Sequence, residues 1–183
     1  MSELASRGQS LPLGVVVERR RIDNKWEDYS WSPVAVIPGA PPMDPATDVW
    51  KLLREGDDWS HFHVGTLDLE LFVGETEGYR SNLSGDTSYV YVVLNKGEEA
   101  DEPEVMPFLV TVCPYEAESY TEGGEEIVEG VPMPDEIIAW VQAFVDQHHV
   151  DVPFKKRKQK KAYDPCKGDF QKPPPRAGRD SLG

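Results

Sequence analysis

Residues 134–150 read PDEIIAWVQAFVDQHHV and form the one long segment of this chain with a clear helical period. Apolar side chains recur three and four positions apart, while polar side chains cover the opposite side. Pro134 suits a first helical position, and Pro153 marks the stop. The apolar arc contains Ile137, Val141, Phe144, Val145 and His148. A helix with one apolar side needs a surface to bury it, and we expect the segments upstream to supply that surface.

Six upstream segments have the β-branched or alternating apolar patterns that are typical of strands. They are residues 13–21, 31–37, 59–73, 88–94, 108–115 and 127–131. In the clearest of them, WSHFHVGTLDLELFV at 59–73, counting back by twos places His61 and His63 on the apolar face. The alternative is a bulge at Gly65 that switches the parity, and we favour the bulge.

A short helix is predicted at residues 44–55. Asp44 can cap it, Pro45 suits its first turn, and Gly56 follows as a left-handed end residue. The segments 74–87, 95–104 and 116–126 are polar or acidic and are predicted to be connections.

Together these elements predict a single α+β domain over residues 11–154. We expect a mostly antiparallel sheet of five or six strands, packed by one long C-terminal helix and one short helix. A small half-open barrel is the alternative. Residues 155–183 have no apolar periodicity, and we expect a disordered, basic, proline-containing tail there.

The formal charge of the 183-residue chain is -14, and it is unevenly distributed. Residues 1–154 carry nine basic and 30 acidic residues, whereas residues 155–183 carry ten basic and three acidic residues. An acidic body repels nucleic acid and anionic lipid, so any such contact must come through the tail. No stretch resembles a signal peptide or a membrane span, which makes the cytoplasm the expected location.

Motifs for catalysis or cofactor binding do not stand out in the sequence. Cys113 and Cys166 do not form a C-x-x-C pair, and nucleophile-elbow, phosphate-loop and dinucleotide patterns are missing. We therefore expect no enzyme activity, no cofactor and no metal. The alternative is a zinc or copper site at His61 and His63, which would need a further ligand.

The strongest candidates for partner binding are arginines and aromatic residues near the end of the first strand. Such arginines either neutralise nearby carboxylates or grip a carboxylate or phosphate of a partner, and arginine beside aromatic residues is the composition of binding hot spots. The basic block KKRKQKK at 155–161 is a second candidate, for nucleic acid, an anionic surface or an acidic protein. The candidate residues are Arg19, Arg21, Trp26, Trp31, Lys155, Lys156, Arg157, Lys158, Lys160 and Lys161.

Five runs of the sequence together resemble an uncharacterised bacterial family, a domain of unknown function. They are PLGVVVERRRIDNKWEDYSWSPVAVIPGAP, HVGTLDLELFVGETEGYRSNL, SYVYVVL, PFLVTVCPYEAESY and VPMPDEIIAWVQAFVDQHHVDVPFKKRK, within residues 11–158. Genes of that family tend to lie beside those for molybdenum-dependent formate dehydrogenase and its maturation proteins.

The resemblance implies a non-catalytic cytoplasmic accessory protein that assembles, matures or regulates formate dehydrogenase by protein–protein binding. A formate dehydrogenase subunit or maturation factor is then the expected partner. Two alternatives remain open: a regulator that contacts nucleic acid through the basic tail, and a metal- or cofactor-handling module that uses His61 and His63.

Overall fold

The structure, a computed structural model, describes residues 8–150, in which seven strands form two antiparallel sheets. The four-stranded sheet has the order β2-β1-β4-β3 and contains β1 (Gly8–Arg21), β2 (Tyr29–Pro38), β3 (Lys51–Glu55) and β4 (Trp59–Phe72). The three-stranded sheet has the order β6-β5-β7 and contains β5 (Tyr89–Lys96), β6 (Val105–Thr111) and β7 (Ile127–Pro132). The helices are α1 (Thr76–Leu83), α2 (Pro114–Thr121) and α3 (Asp135–His148).

The α+β class is confirmed, but the prediction of a single sheet of five or six strands is wrong. The chain leaves β4 through a short 3-10 turn at Val73–Glu75 and then α1. This excursion carries the chain away from β4, so that β5 begins a second sheet and pairs with β6 and β7 instead. The sheets pack through β4 against β6 and through β2 against β7.

The prediction of one long and one short helix is also wrong, because the structure has helices of 8, 8 and 14 residues. The 14-residue helix is α3, which is shorter than the segment 134–150 and is preceded by Pro134 as its cap. Its buried residues lie on the arc that the periodicity identified: Ile137, Val141, Phe144 and Val145. These side chains join the buried cluster between the sheets, to which β1 contributes Val15 and Val17.

The helix predicted at residues 44–55 is replaced by a turn and a strand. The backbone N–H of Asp48 donates to the carbonyl of Asp44 at 2.9 Å, and the chain then extends as β3. Pairing with β4 decides the outcome, since Leu52 lies opposite Phe62 and the Trp50 ring packs 5.7 Å from the Phe62 ring. The apolar spacing fits a helix equally well, but tertiary pairing overrides local propensity.

Two segments predicted as connections, 74–87 and 116–126, instead contain α1 and most of α2, which begins at Pro114 within the segment predicted as a strand. Both helices are short and polar, so they lack a wide apolar face that the sequence could display. Helix α1 is fixed by Tyr79 and Asn82, which are buried. The Asn82 amide donates to the carbonyls of Tyr89 and Val112 at 2.7 and 2.8 Å, which ties α1 to the three-stranded sheet.

The bulge predicted at Gly65 is present one residue earlier. Val15 pairs with Gly65 and Val16 pairs with His63, which leaves Val64 as the extra residue of β4. His63 is nevertheless buried, so the two alternatives drawn from the sequence both hold in part. None of the helices within residues 8–150 is long and apolar enough to cross a membrane.

Candidate functional site

The three arginines at the end of β1 fall on two faces of the four-stranded sheet and have different surroundings. On one face, Arg20 Nε donates to Glu18 Oε1 at 2.9 Å, and His61 Nε2 lies 2.9 Å from Glu18 Oε2. The hydrogen bond from Arg20, followed by that from His61, lowers the pKa of the Glu18 carboxyl below its usual value. Arg20 therefore neutralises a nearby carboxylate, which is one of the two roles that the sequence suggested for these arginines.

Arg19 lies on the opposite face, where two aromatic rings hold its guanidinium. The guanidinium carbon is 4.6 Å from the centroid of the Tyr29 ring and 5.1 Å from that of the Phe62 ring. A cation over the negative face of a ring is attracted by the ring quadrupole. Within residues 8–150, neither Arg19 nor Arg21 forms an ion pair with a carboxylate.

Trp31 packs against another ring of the protein, whereas the ring of Trp26 is largely exposed. Trp31 lies directly opposite Arg19 in the β1–β2 register and packs edge to face on Trp50, with ring centroids 5.3 Å apart. Trp26 lies in the loop between β1 and β2, and 89% of its surface is exposed. The loop conformation is supported by the Trp26 backbone N–H, which donates to Asn24 Oδ1 at 3.1 Å.

Two clefts open at this end of the sheet, and Tyr29 lines both. The larger has a volume of about 520 Å³, and its wall of Tyr29 and Trp31 faces Val105 and Ile127 of the three-stranded sheet. The smaller has a volume of about 230 Å³ and is lined by Arg19, Arg21, Tyr29, Asp57, Asp58 and Trp59, among others. We call these two clefts the Tyr29 surface.

The Tyr29 surface presents both signs of charge beside aromatic rings. Lys96 and three carboxylates line the larger cleft, whereas Arg19, Arg21 and three further carboxylates line the smaller. The carboxylates are those of Glu27, Asp28, Glu104, Glu55, Asp57 and Asp58. Residues 8–150 as a whole carry eight basic and 28 acidic residues. This mixture suits a protein partner with charges of both signs better than the uniformly negative backbone of a nucleic acid.

Of the predicted partner-binding residues, the structure brings Arg19, Arg21 and Trp31 together and places Trp26 in the loop that leads into β2. Phe62 is part of the same arrangement but was not predicted as a site residue, whereas Tyr29 is one of the aromatic residues expected beside the arginines. Phe62 comes from β4, and only the pairing of Val17 with Phe62 places it beside Arg19. The basic candidates of the tail lie outside the described residues, as does the predicted tail 155–183: Lys155, Lys156, Arg157, Lys158, Lys160 and Lys161.

The two strand histidines already have protein partners. His61 contacts Glu18, and its ring packs at a tilt against the ring of Trp59, with centroids 4.6 Å apart. His63 Nε2 lies 3.1 Å from the carbonyl of Gly65, and burial lowers the pKa of its imidazole. In the part of the chain that the structure covers, no group of three or more histidine, cysteine, aspartate or glutamate residues could hold a metal.

Cys113 lies at the start of α2 and is fully buried. Its thiol donates to Glu75 Oε2 at 3.3 Å, and burial raises the pKa of the thiol above its usual value. Because the thiolate is the nucleophilic form, this environment disfavours reaction at the sulfur.

A family model described as "Protein of unknown function (DUF3305)" matches residues 12–158 of the chain. Among curated proteins and solved structures, no match is found.

Proposed function

The chain belongs to the family described as "Protein of unknown function (DUF3305)", and we propose that it is a non-catalytic accessory protein that binds another protein through the Tyr29 surface. The observation that carries this proposal is the guanidinium of Arg19, which lies over the rings of Tyr29 and Phe62 and lines an open cleft. Arginine and aromatic side chains around a cleft are the usual composition of a binding hot spot.

Each part of the Tyr29 surface would contribute differently to such a contact. The larger cleft, walled by Tyr29 and Trp31, suits an apolar or aromatic side chain of the partner. In the smaller cleft, Arg19 and Arg21 can donate to a carboxylate of the partner. Because two rings hold the Arg19 side chain, binding would cost less side-chain entropy there than at a freely rotating arginine.

The proposed setting is the cytoplasmic assembly, maturation or regulation of a molybdenum-dependent formate dehydrogenase. Support comes from the resemblance of the sequence runs to a bacterial family whose genes tend to lie beside those for that enzyme. The partner would then be a formate dehydrogenase subunit or one of its maturation factors.

Affinity capture from a bacterial host that encodes the protein, at low and moderate salt, tests both parts of the proposal. The full-length protein, Arg19→Ala, Arg21→Ala and the control Phe108→Ala would be compared. Phe108 is an aromatic residue of β6 that is 50% exposed and lies outside the Tyr29 surface. We expect wild type and Phe108→Ala to capture a formate dehydrogenase subunit or maturation factor, and both other variants to bind it at least about tenfold more weakly.

Three other results would contradict the proposal in distinguishable ways. Equal capture by all four proteins would place the contact elsewhere on the molecule. Capture of unrelated proteins alone would remove the formate dehydrogenase setting but leave the surface untouched. In the third result, the protein captures nucleic acid, and a variant with glutamine at the six basic positions of 155–161 does not. That result would favour binding through the tail.

The metal-handling alternative has a separate test. Protein purified without an affinity tag would be analysed for zinc and copper and melted with and without added zinc. Stoichiometric metal that disappears in a His61→Ala variant would favour that alternative over protein binding.

A further inference from the structure

The four-stranded sheet has an outer face, on the side away from the buried cluster, where three charged or titratable side chains lie in one row across the strands. Arg54 of β3 pairs with His61 of β4, and His61 pairs with Glu18 of β1. His61 Nε2 lies 2.9 Å from Glu18 Oε2, so these two side chains share the face. Val17, the neighbour of Glu18, points instead into the buried cluster.

A bulge in β3 brings the two basic residues of this strand to the same outer face. Lys51 pairs with His63 and Arg54 pairs with His61, because Leu53 is an extra residue without a partner on β4. In a regular strand, residues three positions apart point to opposite faces, so Lys51 and Arg54 would be separated. Bulges commonly redirect side chains in this way at sheet edges and beside functional sites.

The acidic residues of the hairpin formed by β3 and β4 are placed differently. They line the smaller cleft of the Tyr29 surface and are Glu55, Asp57 and Asp58. Within residues 8–150, neither Lys51 nor Arg54 forms an ion pair with them or with any other carboxylate. The hairpin therefore separates its charges, with its basic residues on the outer face and its acidic residues at the cleft.

The outcome is a locally positive patch on a strongly acidic body. We call it the outer basic face, and it consists of Glu18, Arg20, Lys51, Arg54 and His61. It contains three of the eight basic residues of 8–150 but only one of the 28 acidic residues. Lys51 and Arg54 are exposed, and the side chain of Arg20 is 51% exposed. The guanidinium carbon of Arg54 lies 6.0 Å from the centroid of the Trp59 ring, a contact that favours one orientation of the arginine.

We propose that the outer basic face binds a short acidic segment of a partner protein, in addition to the contact at the Tyr29 surface. Carboxylates of such a segment accept hydrogen bonds from Arg20 and Arg54 and pair with the ammonium group of Lys51. A short segment meets these cations without crossing the acidic remainder of the body, whereas a nucleic acid carries a charge at every phosphate and extends over it. The basic composition of residues 155–183 excludes the chain's own tail as the acidic occupant.

Fluorescence anisotropy with a labelled hexaglutamate peptide and the purified full chain tests the proposal. We expect wild type to bind the peptide with a Kd below about 1 mM at low salt. Lys51→Gln and Arg54→Gln each remove one exposed charge contact, so each should raise the Kd about three- to fivefold. The double variant should raise it about tenfold or more, and moderate salt should weaken binding to wild type by screening.

Two matched variants and a neutral peptide serve as controls. Lys25→Gln removes the same charge from the loop between β1 and β2, and Lys51→Arg keeps the charge on the outer basic face. We expect both to bind hexaglutamate with a Kd within about twofold of wild type. A hexaglutamine peptide should not bind, because it has the same length but no carboxylates. A melting curve of each variant verifies that it is folded.

Wild type that does not bind hexaglutamate at about 1 mM, or a double variant that binds it as well as wild type does, overturns the proposal. Binding that is lost in Arg21→Ala alone would assign the peptide to the Tyr29 surface, and tighter binding of an oligothymidine through the same two residues would assign the face to nucleic acid. Either result overturns the proposal. Lys51 and Arg54 do not line the Tyr29 surface. Failure here therefore leaves the proposed partner binding intact, and failure of partner capture leaves the outer basic face intact.

Discussion

The polar groups at the junction of α1 with the three-stranded sheet differ from those at the Tyr29 surface in how they are paired within the protein. At the junction, Asn82 makes three hydrogen bonds to the backbone. On the same helix, the Tyr79 hydroxyl accepts the N–H of Phe72, the last residue of β4, at 2.9 Å. No buried side-chain nitrogen or oxygen in residues 8–150 lacks a partner. At the Tyr29 surface, by contrast, Arg19 contacts two rings and forms no ion pair with any carboxylate of residues 8–150.

This difference separates residues that hold the fold from residues that are available for binding. Buried polar groups with every hydrogen bond made are typical of structural roles. A charged group whose surroundings orient it without neutralising it is typical of a recognition site. Changes at the junction should therefore reduce stability, whereas changes at the Tyr29 surface should reduce binding.

The largest expected effect on stability is that of Asn82→Ala. The change leaves the carbonyls of Tyr89 and Val112 and the N–H of Tyr89 without their hydrogen-bond partner. The bond to Val112 is buried and those to Tyr89 are partly buried. Because an unpaired buried group costs about 1–3 kcal/mol, we expect the free energy of unfolding to fall by about 3 kcal/mol. Denaturant unfolding measures this free energy, with Asn24→Ala at an exposed position as the control. Equal losses of stability in the two variants would contradict the structural role of Asn82.

Gly78→Ala should also reduce stability, by less than Asn82→Ala. A Cβ atom at this position of α1 would lie 2.6 Å from Cys113 Sγ and 3.3 Å from the Tyr115 ring. The overlap costs about 1–3 kcal/mol and outweighs the gain in helix propensity of up to about 1 kcal/mol. In a Cys113→Ala background the same change should be neutral or stabilising, so a double-mutant cycle by urea unfolding tests the contact; independent, additive effects would contradict it.

Local patterns sufficed to predict β1, β5 and the buried arc of α3, because the spacing of their apolar residues is visible within each segment of the sequence. The division into two sheets could not be predicted, because it depends on which distant strands pair. The strand β3 was mistaken for part of a helix, since Trp50 and Leu52 are placed by contacts with β4 that the local spacing does not contain.

The candidate site shows the same limit. The sequence picks out Arg19 and Trp31 by composition and by their places on adjacent strands. The contact between Phe62 and Arg19 could not be predicted from the sequence, because it depends on the register of β1 with β4. The larger cleft also needs the three-stranded sheet to face Trp31, which is a tertiary fact.

A pH titration of stability should have a smaller effect than either substitution. Burial raises the pKa of Tyr79 to about 12. Between the unfolded value of about 10 and this value, the folded chain holds more protons than the unfolded chain, so raising the pH lowers the free energy of unfolding. We expect a loss of about 1 kcal/mol by pH 11, which Tyr79→Phe should reduce; an equal slope in both proteins would contradict this assignment.

The smallest expected effect on stability is that of Trp26→Ala. The ring is 89% exposed, so its removal should change the free energy of unfolding by less than about 0.5 kcal/mol. Trp50→Ala is the matched control, because that ring packs on Trp31 and Phe62 and should cost about 2–4 kcal/mol. A comparable loss from both tryptophans in thermal melts would mean that Trp26 supports the fold.

The central place of β1 in its sheet has a consequence for the order in which the chain acquires its structure. Its partner β2 follows directly, so this hairpin can close as soon as both strands exist, within microseconds for an isolated hairpin. The other edge of β1, which includes the apolar run GVVV, must wait until β4 is available. Closure of that long-range pairing is expected to limit the folding rate, and during synthesis the nascent chain exposes an aggregation-prone edge until Phe72 has left the ribosome.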